Sequence, residues 1–149
     1  MKVLCAGIVP GGDVGFLFRA MRRLELFASL DDNQLYKVLT FAKSLEFDAG
    51  ETVFKKGDPG ETFYVIQTGR AKATVPGFLG LSKTVGTMGP GEFFGELALI
   101  LKQPRAATVV CAQKTVCFAL ARYDLEKLMS GSPDIAAAVK AVVERRSSP

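Results

Sequence analysis

The 149-residue chain contains no histidine, which is the residue most often used as a general base and as a ligand of catalytic metals. Without histidine the sequence cannot build a Ser-His-Asp triad, and most mononuclear metal sites are excluded. No other set of nucleophile, base and orienting residue stands out in its place. We therefore expect no enzymatic activity, no metal and no cofactor.

Cysteine is also scarce, and the three that occur have no C-x-x-C spacing, which argues against a structural zinc site. Cys111 and Cys117 fall in segments that resemble strands, and we expect them to be reduced, small core residues on one face of a sheet rather than redox groups. The N-terminus has a short apolar run without a cleavage pattern, which predicts no signal peptide. These features together predict a cytoplasmic location.

Long apolar runs and strong charge blocks are missing as well. The longest apolar stretch, from Phe93 to Leu101, is interrupted by Gly95 and Glu96 and is too short to span a membrane, so we expect no membrane insertion. The net charge of +4 is spread along the chain, and it predicts no nucleic-acid binding by this chain alone. With 48% hydrophobic and 23% charged residues, the composition is that of one globular domain over residues 1–149.

Apolar residues recur at helical spacing near both ends of the chain. The pattern predicts N-terminal helices over about 14–26 and 31–42, the second capped by Ser29, Asp31 or Asp32. It predicts C-terminal helices over about 122–146, with Ser132-Pro133-Asp134 opening the last one.

Between these helices, apolar residues recur at every second position, and glycine-rich turns separate these segments. The predicted strands cover residues 44–48, 52–54, 62–67, 71–75, 83–85, 107–112 and 115–120. Seven or eight strands of this kind make a sandwich or barrel, so the predicted fold class is α+β, with an eight-stranded β-roll, a jelly-roll-like antiparallel barrel, over about 43–121.

The segment from Gly89 to Val110 carries the chemistry. A glycine-rich turn leads into a short helix predicted to begin near Glu96, and helix N-termini favour anions. Gly95 allows close approach of a ligand to the backbone, and Arg105 offers a planar fork for phosphate. Glu96 can accept a hydrogen bond from a sugar hydroxyl. Together these groups indicate a ligand with a phosphate and a ribose.

This segment resembles the phosphate-binding cassette of the cyclic-nucleotide-binding domain family, with the pattern F-G-E-x-A-L followed by R-x-A-T. The matching residues are Phe94, Gly95, Glu96, Leu97, Ala98, Leu99, Pro104, Arg105, Ala106, Ala107 and Thr108. A second family signature, G-D-x-G with a following apolar run and glycine, matches Gly57, Asp58, Gly60, Phe63, Tyr64, Val65, Ile66 and Gly69. The Gly57 to Gly60 segment itself reads as a tight turn that supports the fold rather than the site.

The resemblance implies a role for each residue of the cassette. Arg105 would pair with the cyclic phosphate, and the backbone N–H groups of Ala98 and Ala106 would complete its cradle, with Leu97 and Ala107 beside them. Glu96 and the Gly95 amide would hold the ribose 2′-hydroxyl. Family members that prefer cGMP usually carry Thr directly after the arginine, and this chain has Ala106 there, so the resemblance favours cAMP over cGMP.

The resemblance also implies a surface for the base and a covering helix. The base would lie against the sheet near Ala73 or Val85, and Val142, Val143, Arg145 or Arg146 would close over it from the last helix. The expected function is then a cyclic-nucleotide receptor that acts through an effector domain or protein not visible in this chain. The alternative is a structural or interaction domain of the same fold that no longer responds to nucleotide.

Overall fold

The computed structural model describes residues 1–5, 11–95 and 103–147. The helices are α1 (Gly11–Arg22), α2 (Asp32–Leu39), α3 (Arg122–Gly131) and α4 (Pro133–Ser147), with single 3₁₀ turns at Glu25–Phe27 and Phe78–Gly80. The strands are β1 (Lys2–Cys5), β2 (Lys43–Phe47), β3 (Thr52–Phe54), β4 (Thr62–Thr68), β5 (Ala71–Pro76), β6 (Ser82–Met88), β7 (Phe93–Phe94), β8 (Thr108–Cys111) and β9 (Thr115–Ala121). Within these ranges, none of the helices has the length and apolar character to cross a membrane.

The strands form two antiparallel sheets. One has the order β1-β2-β9-β4-β7 and the other β3-β8-β5-β6. The predicted β-roll is confirmed, although the described strands make two separate sheets and not one closed barrel. Some neighbouring strands are distant in sequence: β2 pairs directly with β9, from Lys43 opposite Ala119 to Phe47 opposite Thr115.

Two strands were not predicted from the sequence. β1 pairs with β2 at the edge of the larger sheet, and such a long-range pairing leaves no local signal. β7 has only two residues, which is too short for an alternating pattern to be read. The first helix also differs from the predicted 14–26, because α1 ends at Arg22 and the chain continues as a turn and a 3₁₀ helix at Glu25–Phe27.

The sheets and helices enclose two hydrophobic clusters. The helix-side core lies between the larger sheet and the helices, and it includes Leu17, Phe27, Leu35, Phe63, Phe118, Ile135 and Val142. The sandwich core lies between the two sheets, and it includes Phe47, Ile66, Ala71, Val109, Cys111, Cys117 and Ala119. Successive residues of β9 point to opposite faces, so Phe118 enters the first cluster while its neighbours Cys117 and Ala119 enter the second.

The prediction that Cys111 and Cys117 share one face of a sheet is wrong in its geometry. Cys111 lies on β8 and Cys117 on β9, in different sheets, and both side chains point into the sandwich core. Both thiols are free and buried. Burial raises the pKa of Cys111 and raises that of Cys117 to about 12, so both thiols are protonated and unreactive at neutral pH.

Helix α2 begins with a capping box, which fixes where the chain turns toward the sheet. The Asp31 side chain accepts a hydrogen bond from the Gln34 backbone N–H at 2.8 Å, and the Gln34 side chain accepts one from the Asp31 N–H at 2.8 Å. Of the three predicted capping residues, Asp31 takes the role. The predicted apolar stripe then buries Leu35, Val38 and Leu39 in the helix-side core.

Candidate functional site

The turn from Gly57 to Gly60 holds the backbone of Arg105. The Arg105 N–H donates to the Asp58 carbonyl at 2.8 Å, and the Arg105 carbonyl accepts from the Gly57 N–H at 2.8 Å. The Asp58 carboxylate accepts from the Lys55 N–H at 2.9 Å, which braces the turn from within. The turn therefore positions the backbone of Arg105 in addition to connecting strands. The sequence analysis predicted only the connecting role.

The Arg105 side chain is a buried cation, with 8% of its surface exposed. Its guanidinium lies over the Phe54 ring, with Cζ 4.0 Å from the ring centroid, and Nη2 donates to the Thr62 carbonyl. Its Nε has no hydrogen-bond partner among the described residues. A buried charged donor without a partner costs folding free energy, so the side chain is poised to bind an anion.

Burial lowers the pKa of Arg105, and the nearby Tyr64 and Asp58 partly offset that effect. Because an arginine ordinarily titrates so far above neutrality, the guanidinium keeps its charge at pH 7. The site thus presents a permanent positive charge in a position where little water competes for it.

Gly95 is required for this arrangement. It has φ +78°, a conformation that residues with a side chain rarely adopt. A Cβ atom built at this position would lie 2.5 Å from Arg105 Nη1 and 3.1 Å from the Thr62 carbonyl oxygen. The absence of a side chain at Gly95 therefore leaves the space that the guanidinium occupies.

Aromatic rings form the wall beside the arginine. Tyr64 stacks on Phe94, with centroids 5.1 Å apart and planes 17° apart, and Phe54 lies 6.0 Å from Tyr64 and 5.9 Å from Phe94. Burial raises the pKa of Tyr64, so its hydroxyl is neutral at physiological pH. The ring of Phe93, the neighbour of Phe94 on β7, contacts Phe63 and packs against the helix-side core.

Phe54, Phe94, Gly95 and Arg105 border a cavity of about 410 Å³ between the two sheets. The residues that line it are Phe54, Gly60, Ala73, Met88, Phe93, Phe94, Gly95, Gln103, Pro104, Arg105, Ala106, Ala107 and Val109. The volume is in the range of small-molecule sites, and the lining combines apolar walls with one cation. Such a cavity suits a ligand that has a flat apolar part and a single anionic group.

The structure brings together several residues that the sequence singled out. Gly95, Arg105, Ala106 and Ala107 all line the cavity, and so does Ala73 on β5, one of the two residues proposed for the base. Glu96, Leu97 and Ala98, together with the predicted short helix, lie outside the described residues.

The other residue proposed for the base, and those residues proposed for the lid whose side chains are described, are not among those that line the cavity. Val85 on β6, the second candidate for the base, is 54% exposed. Val142 is 1% exposed and packs in the helix-side core, so it does not face the cavity in this conformation. Arg145 and Arg146 belong to the last turn of α4, and their side chains are not described.

Sequence reasoning missed the partners that place Arg105. The Thr62 carbonyl and the Asp58 carbonyl are backbone groups, for which residue type gives no signal. The contact of the guanidinium with Phe54 joins residues that are distant in sequence. The G-D-x-G signature was the available clue, because its turn is what holds the arginine backbone.

Comparison with known proteins matches this arrangement to a family. The model of the cyclic nucleotide-binding domain family matches residues 44–132. A cAMP-dependent protein kinase regulatory subunit from Yarrowia lipolytica is 34% identical over 113 residues, which are 76% of this chain and 29% of the relative. The chain thus spans about a third or less of the length of such curated relatives.

Solved structures agree with the fold. The N-terminal domain of a transcriptional regulator from Streptomyces coelicolor aligns with a TM-score of 0.76 and 33% identity, over 85% of this chain and 91% of that one. The regulatory domain of Toxoplasma gondii PKA, crystallised with cAMP, aligns with a TM-score of 0.72 and 26% identity, over 91% of this chain and 59% of that one. The resemblance drawn from the cassette is confirmed, and the chain belongs to the cyclic nucleotide-binding domain family.

Proposed function

We propose that this chain is a receptor domain for a cyclic nucleotide, with cAMP as its ligand. The observation that supports this most directly is the Arg105 guanidinium, buried beside the cavity with an Nε that has no partner among the described residues. A cyclic phosphate would supply the missing anion, and the apolar lining would take the base. The similarity to a cAMP-dependent protein kinase regulatory subunit, and to the Toxoplasma gondii PKA regulatory domain crystallised with cAMP, supports the same ligand.

The roles of the cassette follow from this proposal. Arg105 binds the exocyclic phosphate oxygens, with backbone N–H groups of Ala98 and Ala106 beside it. Glu96 and the Gly95 amide bind the ribose 2′-hydroxyl, and Leu97 and Ala107 complete the cassette. Ala73 contacts the base from the cavity wall.

The preference for cAMP over cGMP rests on Ala106. A methyl side chain next to the arginine offers no hydroxyl to the guanine amino group, so cGMP gains no hydrogen bond there. Supplying that hydroxyl should favour cGMP. We expect Ala106→Thr to raise cGMP affinity about tenfold, corresponding to one added hydrogen bond, with cAMP affinity changed less.

The output of the domain is a change in the position of the last helix. Ligand binding would shift a population between an arrangement in which Val142 is buried among the helices and one in which residues of α4, including Arg145 and Arg146, approach the base near Ala73 and Val85. The domain itself would be non-catalytic and would act on an effector in the cytoplasm. A protein kinase catalytic subunit is one such effector, suggested by the relatives' names.

Isothermal titration with cAMP and with cGMP, on protein stripped of bound nucleotide, tests the assignment. We expect micromolar or tighter binding of cAMP, with cGMP weaker. Arg105→Ala should weaken cAMP binding by about a hundredfold or more, since a phosphate loses its buried partner. Arg105→Lys, which keeps the charge but not the fork, should give an intermediate loss.

The matched control is Arg19→Ala, which removes an exposed arginine of α1 away from the cavity. It should bind cAMP like the parent. Circular dichroism and thermal unfolding establish that each variant is folded before it is titrated. If the folded, empty parent gives no heat with either nucleotide, the domain is an interaction module of this fold and the receptor proposal is wrong.

A further inference from the structure

The tip of the hairpin between β5 and β6 carries an exposed apolar cluster that the nucleotide cavity does not use. Phe78 is 83% exposed, Leu79 82% and Leu81 70%, and Val85 on β6 is 54% exposed. We call Phe78, Leu79 and Leu81 the hairpin tip. None of the three lines the cavity. Large apolar side chains presented together in this way usually mark a binding surface.

The hairpin tip is held in shape by its own backbone. The Gly77 N–H donates to the Leu81 carbonyl at 2.6 Å, and the Leu81 N–H donates to the Phe78 carbonyl at 3.2 Å. Leu79 has φ +56°, a left-handed conformation that is unfavourable for a residue with a side chain. The turn therefore presents its side chains outward at a conformational cost in Leu79.

The charged residues of the β5–β6 hairpin and of the segments that flank it have one sign. From Thr62 to Gly91 the sequence contains Arg70, Lys72 and Lys83 and no aspartate or glutamate. All three basic side chains are exposed. Lys83 pairs with Val75 one position from the end of the β5–β6 ladder, and Lys72 pairs with Thr87 further along it. The hairpin strands thus carry basic side chains, and the hairpin tip carries apolar ones.

This combination fits an anionic lipid surface better than a protein partner. A stable protein interface buries about 800 Å² on each side, which is more than three side chains on a projecting turn can provide. A membrane accepts a narrow apolar projection, and its negative surface potential attracts the basic residues behind it. We propose that the hairpin tip binds the surface of membranes containing anionic lipid as a peripheral contact, while the cavity stays open to nucleotide.

Co-sedimentation with vesicles tests this proposal. The probes are vesicles of phosphatidylcholine alone and of phosphatidylcholine with about a third phosphatidylserine. We expect binding to the anionic vesicles that falls as salt is raised, with little binding to the neutral ones. Phe78→Ser combined with Leu81→Ser should reduce binding at least tenfold, and each of Lys72→Gln and Lys83→Gln should reduce it about fivefold.

Matched substitutions elsewhere separate a specific contact from general stickiness. Tyr123→Ser removes an aromatic side chain that is 72% exposed on α3, and Lys127→Gln removes an exposed lysine of the same helix. Both should leave vesicle binding unchanged. Because the sequence has no tryptophan, Phe78→Trp gives a single reporter, whose emission should shift to the blue on anionic vesicles while that of Tyr123→Trp does not.

Three results would overturn the proposal. The first is that the protein does not bind anionic vesicles, and the second is that the tip and control substitutions reduce vesicle binding equally. The third is self-association in analytical ultracentrifugation that depends on Phe78, which would make the tip a contact between copies. Nucleotide titration of the tip variants is an independent readout. The cAMP affinity of the tip variants should match that of the parent. A failure of membrane binding therefore would not affect the receptor proposal, which its own titrations test.

Discussion

The two hydrophobic clusters of this domain are built in different ways. The helix-side core is filled by large side chains that are almost fully buried, such as Phe27, Leu35 and Phe118. The sandwich core is smaller and ends at a cavity of about 410 Å³, with a buried arginine at its wall. The helix-side core is closely packed, which stabilises the fold, whereas the sandwich core is less completely packed and leaves space for a ligand.

Strand β7 joins the two clusters. Phe93 packs against the helix-side core and its neighbour Phe94 against the aromatic wall of the cavity. Arg23, which follows α1, donates to the Gly91 carbonyl just before this strand, so the helices also contact the turn that leads into the site. A ligand that moved Phe94 would therefore act on residues connected to the helices, which is the physical basis for the proposed change in helix position.

The largest expected effect comes from removing a large side chain from the helix-side core. Phe27→Ala should lower the free energy of unfolding by about 3–5 kcal/mol, because Phe27 is 0% exposed and its loss leaves a void. Met88→Ala, which removes a partly buried side chain at the cavity wall, should cost about 1 kcal/mol, since one side of it is already open. Urea denaturation measures both. Equal costs would mean that the two clusters are packed alike.

A backbone substitution at Gly95 should affect the ligand more than the fold. Gly95→Ala forces a side chain into a conformation with φ +78° and into the space of Arg105 Nη1, so we expect cAMP affinity to fall at least tenfold and stability by about 1–2 kcal/mol. Calorimetric titration and thermal unfolding measure the two effects.

The control is Gly50→Ala, because Gly50 has φ +86° but a Cβ there would meet nothing within 4 Å. It should lose a similar amount of stability through backbone strain alone and keep its cAMP affinity. If Gly50→Ala also weakens cAMP binding, the loss at Gly95 reflects general destabilisation and not the displacement of Arg105.

The contrast between the clusters also explains what the sequence could predict. Strands β3, β4 and β5 and the stripe of α2 were predicted closely, because alternation and helical spacing are local consequences of having one buried face. Arg105 and Gly95, which both line the cavity, were singled out from the sequence because their residue types suit a phosphate ligand. The groups that hold Arg105 were not predicted, because Thr62 and Asp58 act through backbone carbonyls and Phe54 contacts the guanidinium only after β3 pairs with β8.

The sandwich core should make stability depend on pH through its thiols. The pKa of Cys117 is raised to about 12 in the folded protein, against about 8.5 in an unfolded chain. A raised pKa contributes stability that is fully present below the unfolded value and is lost as pH rises between the two, so we expect a loss of about 2 kcal/mol at pH 10. Cys117→Ala should lack this part of the decline when urea denaturation is compared at pH 7 and pH 10. A parent and variant with parallel pH dependence would contradict it.

The smallest effect should come from the capping box of α2, which lies on the packed side and away from the cavity. Asp31→Ala removes the acceptor for the Gln34 N–H, and we expect it to lower the free energy of unfolding by about 1 kcal/mol. Asn33→Ala, at an exposed position within the same helix, should change it by less than about 0.5 kcal/mol. Both variants should bind cAMP with the affinity of the parent, since a change of α2 stability leaves the Arg105 wall intact. If Asp31→Ala alone weakened cAMP binding, the helix-side core and the cavity would be coupled in the unliganded state. The interpretation that one cluster stabilises the fold while the other leaves space for the ligand would then be wrong.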